Sequence, residues 1–120
     1  MPSLRSLEGK KKYQEYLKNT PSSDVCILCE KKVIKEFKYW KITGNLFPYD
    51  LIAESHDMIM PIRHIVETEL TDEEKEEFSY IKIHLLGEYD YIIESALKNK
   101  SIPEHFHQHL LVGKSSKTAN

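Results

Sequence analysis

The segment His-Phe-His-Gln-His-Leu-Leu-Val, residues 105–112, alternates polar and apolar side chains and so reads as an extended strand. Successive strand side chains point to opposite faces, so His105, His107 and His109 share one face while Phe106 and Leu110 occupy the other. Such a strand belongs in a sheet with one face on an apolar core and one face left for chemistry. Same-face neighbours lie about 6.5–7 Å apart, close enough for three rings to address one substrate in series. Commoner residues would keep a strand face polar, so a spaced triplet of imidazoles points to function.

Two chemistries suit the triplet. One is a metal tripod, in which an H-x-H strand pair and a third ligand hold zinc. The other is phosphate chemistry: a neutral imidazole is a good nucleophile at phosphorus, and a protonated neighbour can neutralise a phosphate oxygen. With an unperturbed pKa of about 6.5, histidine supplies both forms near neutral pH.

The remaining chain supplies a small α+β frame. Leu4, Leu7, Tyr13, Tyr16 and Leu17 predict a short N-terminal helix, weakened by Gly9 and broken at Thr20-Pro21-Ser22-Ser23. Phe37, Tyr39, Trp40 and Ile42 predict one strand over 36–43, ending at Gly44-Asn45. A short strand over 51–54 and a buried one over 57–61 follow a bend at Pro48 and Tyr49-Asp50. Thr71-Asp72-Glu73-Glu74 is a capping box at the start of a long helix, whose acidic first turn suits the helix dipole. Phe78, Ile81, Leu85, Tyr89, Ile92 and Ala96 recur at helical spacing and predict that this helix continues to the Lys98–Lys100 region, with Gly87 as a bend. The stretch 113–120 is small and polar and is expected to be a disordered tail.

Charge narrows the partners. The 120 residues carry a net charge of −2, without the basic bias of a protein that tracks a long polyanion. A small phosphorylated ligand needs only a few placed donors. No apolar run is long enough to span a bilayer, and the first residues lack a signal-like apolar stretch, so a cytoplasmic setting without membrane association is expected. The two cysteines, Cys26 and Cys29, stand in a C-x-x-C pair, a spacing used for metal or redox work in a reducing compartment. They also suit packing as small apolar residues.

Residues 105–111 resemble the signature of the HIT (histidine triad) family, in which three histidines alternate with apolar residues. Met60-Pro61-Ile62-Arg63-His64 is similar to that family's strand-end motif, Asn45-Leu46-Phe47-Pro48-Tyr49 resembles the segment after its first strand, and Cys26-Ile27-Leu28-Cys29 resembles the cysteine pair of many members. All four stand in family order across 26–112. The resemblance implies an antiparallel sheet of about four or five strands with helices mainly on one face. It divides the chain into a helical extension over 1–25, a HIT-like domain over 26–112 and the tail.

The resemblance also implies roles. His107 would attack the α-phosphate of a nucleotide substrate and form a covalent nucleotidyl–imidazole intermediate. His109 would bind phosphate oxygens and stabilise the growing charge, and His105 would support the nucleophile. Asn45 would contact the ribose, with Leu46 and Phe47 as walls for the base. Cys26, Cys29, His64 and His105 would hold a structural zinc, a closed tetrahedral set of two thiolates and two imidazoles. Members are commonly homodimers, and Tyr80, Tyr89 and Tyr91 are expected in packing or a dimer contact.

Gln108 departs from the pattern at an apolar position. Many members also carry an extra strand and a loop before the triad. Here only 98–104 is expected to separate the long helix from His105, leaving Asn99 and Ser101 as candidates for contact with the leaving phosphate. His56 is expected in a structural turn, His84 on a solvated helix surface, Lys10 to Lys12 on a solvated helix face, and Arg63 in no role.

Overall fold

The computed structural model describes residues 4–19, 27–30, 32–45, 48–96 and 104–114. In chain order the elements are α1 (Leu7–Asn19), α2 (Ile27–Glu30), β1 (Val33–Glu36), β2 (Trp40–Gly44), β3 (Ala53–Pro61), α3 (Asp72–His84), β4 (Tyr91–Ile93) and β5 (Gln108–Gly113). The strands form one antiparallel sheet in the order β1-β2-β3-β5-β4. This is the α+β class expected from the pattern of elements. No helix among the described residues is long and apolar enough to cross a membrane.

Alternation along the strands divides the two faces. Trp40 and Ile42 from β2, Ile59 from β3 and Leu110 from β5 pack with Phe106, Leu86 and the α3 residues Phe78 and Ile81. Trp40 anchors this core twice: its ring stacks on Phe78 at 4.2 Å, and its indole N–H donates to the Glu74 carbonyl at 2.8 Å. The opposite face bears Met58 and Met60, covered by Leu28 of α2, beside a cluster of Tyr49, Ala53 and Leu111. Helical cover is thus not confined to one face.

The capping box forms as expected. Thr71 accepts from the Glu74 N–H, and the Glu74 carboxylate accepts from the Thr71 N–H. The helix it starts is shorter than the periodicity predicts, with Leu85 as its C-cap. Leu86 is buried, Leu85 and Tyr89 pack partly on the core, but Ile92 lies in β4 and Ala96 is exposed. The aromatic and β-branched run Tyr91-Ile92-Ile93 pairs with β5 instead, Tyr91 opposite Leu111 and Ile93 opposite His109. The extra strand expected to be missing before the triad is therefore present, in the stretch assigned to helix.

Two other strand expectations change. The single strand over 36–43 is a hairpin: β1 and β2 pair antiparallel across a turn closed by the Phe37 N–H on the Trp40 carbonyl. The two short strands over 51–54 and 57–61 are one, β3, which carries His56 and Met58 continuously into Pro61. At the chain's far end, β5 runs through Gly113, and the Lys114 N–H bonds the Ile52 carbonyl, so these two residues are not tail. Residues 115–120 lie outside the described set.

The N-terminal helix is tied to the domain. Ser6 caps it by accepting from the Gly9 N–H, while the Ser6 hydroxyl and backbone N–H both donate to the Asp50 carboxylate. These bonds hold the Asp50 carboxyl below the usual carboxylate range. A Cβ on residue 9 would meet the Asp50 carboxylate at 2.9 Å, so glycine permits the close approach that costs the helix some propensity.

Candidate active site

Three chain segments bring the histidines together. Met58 of β3 pairs with His109 of β5, so His56, two residues earlier on the same face, reaches the same ring. His105 and His107 precede the first ladder residue, Gln108, so the strand is shorter than the expected 105–112. They are nonetheless buried, as is His109.

His107 is oriented by its neighbour's backbone. Its Nδ1 lies 3.0 Å from the His105 carbonyl oxygen. A carbonyl only accepts, so Nδ1 carries the proton and Nε2 holds the lone pair. The His107 and His109 rings meet edge to face at 5.2 Å. Contact with His105 thus runs through a carbonyl, while the His105 ring turns elsewhere.

That ring joins a second cluster. His105 Nε2 lies 2.9 Å from the Pro61 carbonyl and donates to it, which leaves the Nδ1 lone pair facing the Cys29 sulfur at 3.4 Å. His64 Nδ1 lies 3.5 Å from the same sulfur. The three ligand atoms fall within 4.8 Å of one another. Tetrahedral zinc with ordinary Zn–S and Zn–N bonds sets sulfur–nitrogen edges of about 3.5 Å, so this corner fits a metal ion. Burial, above all, pushes the His105 pKa down, favouring the neutral ring a metal requires. Lys41, buried on the same sheet face, donates to the Cys29 carbonyl at 3.4 Å. Cys26, the expected fourth ligand, lies outside the described residues.

The other end of the site holds two groups that the sequence reading missed. His56 Nε2 stands 2.7 Å from His109 Nδ1, and the Tyr49 hydroxyl stands 3.1 Å from His109 Nε2. The Tyr49 backbone N–H donates to His56 Nδ1 at 3.0 Å. His56 is therefore no turn residue. Burial, with the Arg5 charge adding to it, pushes its pKa down to about 4. Reading β3 as one strand would have found it, since His56, Met58 and Met60 alternate onto one face. Asn45 lies beside this network, its side-chain amide 3.3 Å from His56 Nε2. Leu46, Phe47, Asn99 and Ser101 lie outside the described residues.

Arg63 also acquires a place. It makes a bidentate pair with the buried carboxylate of Glu74 at 2.9 Å, and its guanidinium donates to the Glu69 carbonyl. The segment carrying His64 is thereby fastened to the start of α3. His84 is exposed, its ring against Tyr80.

No family model matches the sequence, and no curated protein matches it significantly. Solved structures do resemble it. A histidine triad protein from Clostridium difficile aligns over 79% of this chain and 96% of its own, at 21% identity and a TM-score of 0.54. A HIT family hydrolase from Legionella pneumophila Philadelphia 1 aligns over 76% and 95%, at 21% identity and a TM-score of 0.56. A HIT family hydrolase from Clostridium thermocellum aligns over 79% and 95%, at 17% identity and a TM-score of 0.53. These likenesses span nearly the whole length of each neighbour, and at such identities they speak to architecture: the chain has the fold of the histidine triad proteins.

Proposed function

We propose that this chain is a HIT-type nucleotidyl hydrolase or transferase, acting on a dinucleoside polyphosphate, a nucleoside phosphoramidate or a related substrate. The observation that carries the reading is the His107 bond to the His105 carbonyl, which puts the ring proton on Nδ1 and the lone pair on Nε2, the tautomer that attack on phosphorus needs. Two of the structural neighbours are described as hydrolases, which supports the same class of activity.

In this mechanism His107 Nε2 attacks the α-phosphorus. A phosphorus–nitrogen bond forms as the bond to the leaving group breaks, and that electron pair departs on the leaving atom. Water or a second acceptor then attacks phosphorus, and the phosphorus–nitrogen electrons return to His107. Charge growing on the phosphate oxygens is met from the His109 side of the site, where fixed donors need no reorganisation. Asn45 serves the ribose. Zinc, held by Cys29, His64, His105 and Cys26, would supply cross-linking and orientation rather than chemistry. A cytoplasmic homodimer suits this reading.

Rapid quench of the chain with an adenylate phosphoramidate, followed by peptide mass spectrometry, tests it. A nucleotidyl adduct on His107 is expected. Turnover that survives His107→Ala, with no adduct, would overturn the reading. The second reading, a zinc-stabilised nucleotide-binding module, rests on the Cys29–His64–His105 corner and predicts binding without an adduct.

A further inference from the structure

The hydrogen-bond path through Tyr49, His56 and His109 begins and ends on the same residue, and that closure fixes where the protons are. The Tyr49 backbone N–H donates to His56 Nδ1, so Nδ1 holds a lone pair and the neutral ring keeps its proton on Nε2. That proton faces His109 Nδ1 at 2.7 Å, which must accept it. His109 then carries its own proton on Nε2 and donates it to the Tyr49 hydroxyl oxygen at 3.1 Å. The oxygen is filled from the His109 side, and the hydroxyl proton is committed to no acceptor among the described residues.

We infer that the Tyr49 hydroxyl is the group that touches a substrate phosphate oxygen, with His109 acting behind it as a positioning residue. The inference rests on the nucleotidyl-transfer reading above and refines it, because that reading lets His109 meet the phosphate directly. Three features support it. His109 has one N–H, and Tyr49 already receives it. Tyr49, His107 and His109 keep similar small accessible surfaces of 8%, 7% and 6%. The Tyr49 ring is also held in place: it packs with Ala53 and Leu111, tilts on His109 at 4.8 Å, and carries the Arg5 guanidinium 4.9 Å from its centroid. A donor positioned this way serves an anionic oxygen without reorganising.

Tyr49→Phe tests the inference, since it removes the hydroxyl and keeps the ring, the backbone N–H and the His56 bond. The probes are the four common 5′-nucleoside monophosphates, each paired with its unphosphorylated nucleoside and titrated into the full chain. Loss of a hydrogen bond to a charged group should weaken monophosphate binding about ten-fold and leave the nucleosides unchanged. Direct contact by His109 predicts the opposite, because the variant frees its N–H; unchanged or tighter monophosphate binding would overturn the inference. Equal weakening of nucleoside and monophosphate would overturn it too. Two measurements on the unaltered chain stand apart from the variant. Histidine nitrogen shifts should show His109 protonated on Nε2, and the Tyr49 ring-carbon resonance bearing oxygen should move with monophosphate; the other tautomer, or a silent Tyr49, refutes the inference. If the unaltered chain binds no monophosphate, the nucleotide reading falls and takes this inference with it; if only the Tyr49 comparisons fail, that reading stands.

Discussion

His56 Nε2 lies 2.7 Å from His109 Nδ1, although 53 positions separate the two residues in sequence. The pair joins β3 to β5 on the face opposite the aromatic core. Because Tyr49 donates to the far side of His56, the arrangement holds only while His56 is neutral.

Acid should therefore attack the fold through His56. Its pKa is pushed down to about 4 in the folded chain, below the ordinary value of 6.5. Between those values the unfolded chain binds more protons, so stability rises with pH across that window and is lost as pH falls through it. The full shift corresponds to a loss on the order of 3 kcal/mol. Urea midpoints from pH 4 to 7 should rise steeply for the unaltered chain and less steeply for His56→Gln. Equal slopes would contradict the assignment.

Arg63→Ala should lower the denaturant midpoint of the chain, because it leaves the buried Glu74 carboxylate without its charged hydrogen-bonding partner. Glu74 is 2% exposed, and Arg63 is the first cause of its lowered pKa. The contribution is present above the ordinary glutamate range and is lost as pH falls through the lowered value. Arg63→Lys should recover only part of it, since one ammonium does not reproduce a two-point fork. Denaturant melts of the three chains at neutral pH provide the comparison.

Cys29→Ser should abolish stoichiometric zinc, measured by atomic emission on chain purified with zinc present. Removing metal with a chelator should lower the melting temperature of the unaltered chain and leave that of the variant in place. Full zinc content in Cys29→Ser would mean that the ion sits elsewhere.

Tyr89→Phe should cost about 1–3 kcal/mol with no change in turnover. The Tyr89 hydroxyl donates to Asp57 at 2.6 Å, and burial leads the causes that raise its pKa. Removing it strands a carboxylate oxygen. A stability assay alongside a rate assay separates this residue from those at the triad.

Local hydrogen bonds made part of this molecule legible in its sequence. The Thr71–Glu74 capping box spans three residues and forms as read, and the alternation after His105 marked a strand. Competing patterns hid the rest. Leu85 and Tyr89 extend the spacing of α3 and still touch the core, so the periodicity carried the expected helix into a segment that is β4. Phe37 and Tyr39 have strand-like side chains but occupy the β1–β2 turn. Local sequence reads Tyr49 as part of a bend and His56 as a turn residue, because their importance comes from pairing with His109, a contact set by sheet register rather than by any local motif.

His105 faces two ways, with its ring toward the Cys29 sulfur and its peptide oxygen toward His107. The ring can turn about its own side-chain bond without moving that oxygen, so the thiol corner and the His107 tautomer rest on separate atoms of one residue. Removing the ring alone therefore costs the corner a ligand atom and leaves the His107 bond to the peptide oxygen in place.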